Sequence, residues 1–466
     1  MERSSETVPY ASARGRGALL ASVLGSGLAF LDATAVNVAL HALGRDLGTG
    51  LTGLQWAVDA YLLTLGALVL TGGALGDVYG QRRVFLAGLA AFSLTSIACG
   101  LAWSVGSLAV ARAAQGIGAA LLVPSSLAML RTSFSEEERG RAVAAWAGFS
   151  GVSTAIGPLL GGWLVDAWSW RAVFFLNLPL AAVAAWAGWR FPPQSSRAGD
   201  VHSVDLAGAI TASLGLGCLV LSLIEGPPHG WPPVMVASAV MGVGMLGLFL
   251  FLQARGAHPM LPLRLFRSRT FVGANLTTLT VYFALGGTTF FVVLALQQEL
   301  GYSALEAGAS LLPITLLLLL LSPAVGRLTE RVGARALMTL GPLVVGGGLM
   351  LLTRLEPGGS YLRTVLPGVI VLGAGLTLTV GPLTTVVLGS VNERYAGIAS
   401  GFNNAVARIA GLLAVALLPS LSGLIGRLGV DFLAGVRHAL WVSAVLCAIG
   451  GLCSLALVSG REAPHP

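Results

Sequence analysis

Leu311-Leu-Pro-Ile-Thr-Leu-Leu-Leu-Leu-Leu-Leu321 carries no charge and shows no alternation of polarity. It sits in an apolar stretch spanning 306–325, about the 20 helical residues needed to cross a ~30 Å hydrocarbon core. Inside lipid every backbone N–H and C=O has to be satisfied within the structure, which leaves helices or a closed barrel. Barrel strands alternate apolar and polar residues over short segments. This run does not, so it is read as a membrane helix.

Comparable stretches recur along the chain. The predicted spans are 17–40, 53–75, 84–102, 106–130, 142–165, 171–189, 205–225, 232–253, 271–297, 306–325, 336–353, 363–388, 398–422 and 438–459. Composition agrees: 55% of the 466 residues are hydrophobic, 10% are charged, and the mean hydropathy is +0.83. A soluble domain carries about 25% charged residues. Arg14 and Arg16 before the first run resemble the start of a signal peptide. Asp32 and Asn37 interrupt that run, however, and no convincing A-x-A site follows, so it is expected to remain as the first helix. The chain is thus predicted to be an all-α membrane protein of fourteen helices.

All 27 basic residues are arginine, and the net charge is +7. A basic chain can bind nucleic acid, but these arginines fall in short loops between spans, where lipid headgroups are the expected partner. With the N-terminus inside, inner segments hold nineteen arginines and outer segments six, while Arg112 and Arg408 lie within spans. The positive-inside rule then places both termini in the cytoplasm. The expected location is the cell inner (plasma) membrane, with no nucleic-acid partner and a monomeric state. The four cysteines, Cys99, Cys218, Cys447 and Cys453, have no metal-ligand or disulfide spacing and are read as small packing residues.

The loop between the second and third spans reads Gly73-Ala-Leu-Gly-Asp77-Val-Tyr-Gly80-Gln-Arg82-Arg83. Its glycines permit a tight turn, and Asp77 is expected to cap a helix N-terminus or pair with a basic residue. An ordinary cytoplasmic hairpin would also carry such arginines. Against that reading, a weaker echo, Gly326-Arg-Leu-Thr-Glu330-Arg331-Val-Gly333-Ala-Arg335, joins two later spans on the same face. A repeated loop points to an internally repeated architecture.

The first loop resembles the G-x-L-a-D-r-x-G-r-k signature of the major facilitator superfamily. Leu108-Ala-Val-Ala-Arg112-Ala-Ala-Gln115-Gly116-Ile-Gly118 is similar to the helix-four motif of that family's drug transporters. Ser153-Thr-Ala-Ile-Gly157-Pro158-Leu-Leu-Gly161-Gly162 is similar to the helix-five motif of its antiporters. Leu31-Asp32-Ala-Thr34-Ala-Val-Asn37-Val-Ala-Leu40 resembles the helix-one motif of the fourteen-helix drug:proton antiporters. Trp170-Arg171 through Asn177-Leu-Pro179, and Ala399-Ser-Gly401-Phe-Asn403-Asn404 to Arg408, are also similar to that branch. Ser153 stands where glycine is usual, and Val78 and Gln81 stand where basic residues are usual.

The resemblance implies the major facilitator fold, two six-helix bundles plus two extra central helices, enclosing a central cavity. The expected division is residues 1–190, the linker pair 191–255, and 256–466. It implies proton-coupled export of amphipathic small molecules such as drugs, antibiotics or secondary metabolites, with antibiotic resistance as a consequence. Protons, the small-molecule substrate and membrane lipids would be the partners. The expected drive is the proton gradient, without a cofactor. Uptake symport of a small metabolite on the same fold is the alternative. The antiporter-like Gly157-Pro158 favours export.

A carboxylate within the membrane is costly by ~3 kcal/mol on insertion scales and needs a reason. From the span boundaries and 1.5 Å per residue, Asp32 lies ~12 Å from the outer end of its helix, and Asp59 and Arg112 each lie ~9 Å from theirs. Burial disfavours the charged form of a carboxyl. Asp32 is therefore the expected proton carrier, loading outside and releasing inside, with Arg112 setting the release. The other reading is a structural ion pair. Asp59 either shares the proton role or sits wet near the headgroups. Arg408, ~15 Å from the inner face, is expected to bond carbonyls or polar side chains such as Asn403 and Asn404.

Proline removes a helical hydrogen bond, so Gly157-Pro158 should kink helix five. Gly161-Gly162 should admit a close neighbour, either as plain packing or as a seam against leak. By resemblance, Asn275, Thr277, Tyr282, Thr288, Thr289 and Phe290 would form an amphipathic wall of the cavity, along with Asn37, Asn403, Asn404 and Arg408. No mid-span acid is evident in the carboxyl half, so dicationic substrates are less expected than neutral, zwitterionic or monocationic ones. Gly242-Val-Gly244-Met-Leu-Gly247 matches G-x-G-x-x-G, but it lies in an apolar span with no preceding strand. No Walker loop is present, the histidines form no metal cluster, and no set of clustered acids suggests an enzyme. A non-transporting sensor would not need Asp32 and Arg112.

Overall fold

A computed structural model describes residues 8–193, 205–256, 259–392, 395–424 and 432–459. Arg3, Arg197, Arg394, Arg427 and Arg461, which enter the charge split, lie outside the described residues. Fourteen helices are long and apolar enough to cross a membrane. They are α1 (Ala13–Asp46), α2 (Leu51–Tyr79), α3 (Gln81–Gly100), α4 (Val105–Ser133), α5 (Glu136–Ala167), α6 (Trp170–Arg190), α7 (Leu206–Glu225), α8 (Pro233–Arg255), α9 (Arg269–Gln298), α10 (Ala304–Val332), α11 (Ala334–Leu352), α12 (Tyr361–Gly389), α13 (Ala396–Leu421) and α14 (Phe432–Leu457). The apolar patterning found every one of them. Several run longer than their hydrophobic stretch: α1 spans 34 residues, ~51 Å at 1.5 Å per residue. Its polar ends, Arg14, Arg16, Arg45 and Asp46, continue the helix beyond the hydrocarbon thickness.

The Leu311–Leu321 run holds a local break. α10 is interrupted at Leu311 and resumes at Leu312. Pro313 then sits in the first turn of the resumed segment, where its missing N–H leaves no helical bond unmade. α6 is likewise interrupted at Leu176, so Asn177 begins its second segment.

Contacts group the helices. α1 packs on α4, α5 and α6, and α4 packs on α2 and α3. Later in the chain, α9 packs on α13 and α14, α11 on α12 and α14, and α10 on α12. α7 and α8 pack on each other, and α7 lies against α2 and α13. Val220 and Ile224 of α7 join Leu412 and Ala416 of α13 in one apolar cluster, flanked by Trp56, Leu62 and Leu63 of α2. α8, which contains Gly242 to Gly247, is mostly outward-facing, with Val240 and Val243 exposed as lipid-facing side chains are.

The two related loops have one geometry. Gly80 alone links α2 to α3 with φ +92°, and Gly333 alone links α10 to α11 with φ +83°. Only glycine adopts that backbone without strain. Two residues further on, Arg82 donates to the Trp189 carbonyl in the last turn of α6, and Arg335 donates to the Leu455 carbonyl in the last turn of α14. At the other end of the same helix pairs, Arg171 of α6 donates to the Ala102 carbonyl (3.1 Å) just past α3. Arg437 of α14 donates to the Leu355 carbonyl (3.1 Å from Nε) just past α11. A cation at a helix C-terminus satisfies carbonyls that lack an intrahelical donor.

Among the described residues, every hydrogen bond between the first six helices and the last six lies on the side opposite the chain termini. Gln55 of α2 donates to the Val415 carbonyl (2.6 Å), and Gln297 of α9 to the Val38 carbonyl (3.0 Å). Asp166 at the end of α5 accepts from the Ala304 and Leu305 amides (3.0 and 2.9 Å), capping the start of α10 across the interface.

Asp166→Ala is expected to weaken this closure by about 1 kcal/mol, the usual value of a helix cap. That is about a fivefold shift between two states close in energy. A single cysteine at Thr289, in a background without the four native cysteines, should then react faster with an impermeant maleimide added from that side. An unchanged rate would show that Asp166 does not hold the closure.

Candidate functional site

Asp32 of α1 is fully buried, and both of its oxygens are engaged. Oδ2 takes Nη1 of Arg112 at 2.5 Å. Oδ1 takes the Gln115 side-chain amide at 3.0 Å and the Asn177 amide at 2.8 Å. Arg112 and Gln115 are three residues apart on one face of α4, so one helix delivers both. Arg112 also donates from Nε to the Ala57 carbonyl of α2 (3.0 Å) and from Nη1 to Gln115 Oε1 (2.7 Å). Its guanidinium lies 4.2 Å from the centre of the Tyr61 ring. Ser96 of α3 accepts from Gln115 and Asn177 and donates to the Phe174 carbonyl. Five helices thus converge on one carboxylate. Gln115 and Asn177 lie within the sequence motifs without an assigned role there, and Ser96 and Tyr61 lie outside every motif. Their signal was the presence of polar side chains within apolar spans.

Asp59 does not join this site. It is fully buried, and neither oxygen has a hydrogen-bond partner among the described residues. The expectation of a wet position near the headgroups is therefore corrected. Asp59 lies on the stripe of α2 that faces α13, between Gln55, which bonds Val415, and Leu62, which lies against Gly411.

A central cavity of about 530 Å³ lies between the two groups of helices, within the ordinary range for small-molecule sites. Asn37, Tyr282, Asn403, Asn404 and Arg408 line it, together with Arg112 and Pro158. Most of the remaining wall is aliphatic or aromatic, including Phe30, Leu285, Leu318 and Leu376.

Phe290 does not line the cavity; it is 1% exposed and packs edge-on against Phe291 at 4.8 Å. The cavity-facing stripe of α9 is Tyr282, Leu285, Gly286, Thr289 and Val293, and Phe290 lies ~80° round the helix from its centre at 100° per residue. Thr277 and Thr288 are buried, and Asn275 takes an amide proton of Asn403 at 3.1 Å.

Arg408 also differs from expectation. It makes no hydrogen bond with Asn403, Asn404 or any carbonyl among the described residues, and instead lies 5.1 Å from the Phe30 ring centre. Asn403 donates to Asn275 and Thr278, and Asn404 to the Ser400 carbonyl.

α5 runs unbroken through Gly157-Pro158. A Cβ on Gly157 would overlap Thr34, and one on Gly161 would come within 2.8 Å of Ala35 Cβ, so these two glycines seat α5 on α1. Gly162 faces the Ala304–Leu305 backbone of α10, and Gly308 of α10 lies against the Pro158 carbonyl. This motif therefore forms part of the closed interface.

In the loop, Gly73 lies against Pro124, and Asp77 Oδ1 accepts from Gln81 Nε2 at 2.8 Å. Asp77 neither caps a helix nor pairs with an arginine among the described residues. Its neighbour is an amide at the position where a basic residue was usual. Arg83 is exposed.

The sequence profile of the Major Facilitator Superfamily matches residues 22–415. The chain is 38% identical to "Multidrug resistance protein Stp" of Mycobacterium tuberculosis (strain CDC 1551 / Oshkosh), over 86% of this chain and 75% of that protein. It is 34% identical to "Tetracenomycin C resistance and export protein" of Streptomyces glaucescens, over 88% and 77%. It is 33% identical to "Methylenomycin A resistance protein" of Bacillus subtilis (strain 168), over 97% and 96%. Among solved structures, an auto-inhibited POT family peptide transporter superposes with a TM-score of 0.74 at 15% identity, over 97% and 99% of the two chains. That likeness concerns the fold alone.

Gly161→Val is expected to push α1 and α5 apart, because the added carbons meet backbone as well as side chain. The destabilisation should be about 1–3 kcal/mol, as for other overpacked sites, and would appear as a lower unfolding temperature in detergent. Gly148→Ala on the same helix, where an added Cβ meets nothing within 4 Å, should not lower it.

Proposed function

The chain belongs to the major facilitator superfamily, a multi-pass membrane transporter rather than an enzyme, and on that premise we propose that it exports amphipathic small molecules in exchange for protons. The observation that carries this reading is the buried Asp32–Arg112 pair at the wall of the cavity. A carboxylate in a membrane span marks a proton or ion path by default. Here Arg112 touches both Asp32 and the substrate space, so a change of charge on Asp32 is felt at the cavity. Loading a proton onto Asp32 takes an oxygen away from Arg112, Gln115 or Asn177, and the released donor then faces the cavity or the neighbouring helices. The names of the relatives, resistance and export proteins, support export over uptake.

In this reading both termini are cytoplasmic, and the side closed by Gln55, Gln297 and Asp166 is the outer one. The two six-helix groups, 1–190 and 256–466, rock about the cavity, while 191–255 supply the extra pair. The protein works as a monomer driven by the proton gradient, without a bound cofactor. Asp59, unpartnered at the α2–α13 seam, is a second proton carrier whose charge would disfavour that seam.

The test is proton-driven transport in inverted membrane vesicles, screened against a panel of drugs and dyes for compounds that dissipate the gradient. Asp32→Asn should abolish proton-driven export while the protein remains in the membrane, and Asp32→Glu should keep part of it. Full proton-driven transport by Asp32→Asn would rule out the assigned carrier.

A further inference from the structure

The cavity has a sign. None of the described residues that line it is acidic, and two are arginines. Arg112 is neutralised by Asp32 at 2.5 Å. Arg408 has no ion pair and no hydrogen bond among the described residues; only its face is occupied, by Phe30. The contrast with the arginines at the helix ends and with Arg112 is chemical: Arg82, Arg171, Arg335 and Arg437 each donate to a main-chain carbonyl, and Arg112 donates to the Ala57 carbonyl. A guanidinium in a membrane span is expensive unless something answers its charge. A ring face answers part of it and leaves the guanidinium N–H donors of this cavity-lining residue unused among the described residues.

We propose that Arg408 is the substrate-anion site of the cavity, and that the preferred substrates are amphipathic aromatic molecules bearing one carboxylate, sulfonate or ionised phenol. This rests on the export reading and names its substrate class. The anion meets the planar fork of Arg408 in a bidentate contact, the geometry guanidinium favours. The Tyr282 hydroxyl, which makes no hydrogen bond among the described residues, is a further donor on the same wall. The ring system of the substrate lies against Phe30, Leu285 and Leu376. A cationic substrate finds no acid to pair with among the described lining residues, and it meets the charge of Arg408 in a low-dielectric space, where repulsion is weakly screened. This narrows the expectation drawn from the sequence, which placed monocations beside neutral and zwitterionic compounds.

The experiment uses the full chain in inverted vesicles energised with a proton gradient and three probes. Anilinonaphthalene sulfonate is the anion, phenylnaphthylamine carries the same rings without the charge, and ethidium is the cation. The wild-type protein should transport the anion with about tenfold or greater preference over either of the others, the factor expected of one charge-assisted contact. Arg408→Gln should lose about tenfold in anion transport and leave the neutral probe within about twofold, while Arg408→Lys, which keeps the charge but loses the planar fork, should transport the anion at a level between the wild type and Arg408→Gln. Equal or better transport of ethidium or the neutral probe by the wild type overturns the proposal and leaves the export reading standing, as does an Arg408→Gln variant that slows all three alike. If the wild type moves none of the three, nor any compound of the wider panel, the export reading falls and takes this one with it. Should Arg408→Gln fail to reach the membrane, the wild-type preference and the Arg408→Lys variant decide.

Discussion

Asp32 and Arg112 sit opposite one another, both almost wholly buried, at the wall of the cavity. Neither charge is tolerable there alone. Removing one partner of such a pair typically costs about 3–5 kcal/mol, because the other is left uncompensated. The rest of the first six helices is arranged to bring donors and acceptors to this pair. That arrangement requires backbones to approach closely, and glycine permits it. Gly116 of α4 faces the Tyr61 carbonyl of α2, Gly118 faces Phe92 of α3, and Gly25 of α1 faces the Phe85 ring. A side chain at Gly116 would push α4 from α2 and pull Arg112 off the Ala57 carbonyl. The small residues within the spans are thus part of the polar site, in keeping with packing in lipid that relies on close contact rather than on hydrophobic burial.

The helices were legible in the sequence because one external length, the hydrocarbon thickness, sets the length of every span. Asp32 and Arg112 were legible because a charge in such a span stands out. Side-chain direction was harder to read. Phe290 and Thr289 are neighbours in the sequence, yet one packs into the core and the other lines the cavity. α9 carries its threonines on several sides, so no single polar face reveals which way it turns. Asp59 was placed by depth alone, and depth does not tell which neighbour lies opposite: it is α13, whose Val415 carbonyl accepts from Gln55 one turn before Asp59, and not Arg112. Arg171 and Arg437 are two of the six outer arginines and so weigh against the orientation, whereas each holds a carbonyl at a helix end. Their chemistry is local, and a count of charges per loop cannot register it.

The repeat of the loop runs deeper than its glycines. Arg82 and Arg335 stand at the same offset from Gly80 and Gly333 and hold the last turns of α6 and α14. Arg171 and Arg437 then close the opposite ends of the same two helix pairs. Each outer pair, α3 with α6 and α11 with α14, is fastened at top and bottom. The cavity, by contrast, is walled by α1, α2, α4, α5, α9, α10, α12 and α13, helices that these arginines do not fasten. The fold thus separates a clamped periphery from a central set that faces the solute.

That division has a mechanical consequence. A half whose outer helices are fastened at both ends turns as one stiff body, so a small rotation is not absorbed by bending along the way. α9 is 30 residues long, ~45 Å at 1.5 Å per residue, and a tilt of ~10° about its middle moves each end by ~4 Å. On the proposed rocking about the cavity, each half is a lever with its fulcrum near mid-membrane, and Gln55, Gln297 and Asp166 hold one arm. A few hydrogen bonds at that rim would then govern an aperture of molecular size at the opposite one.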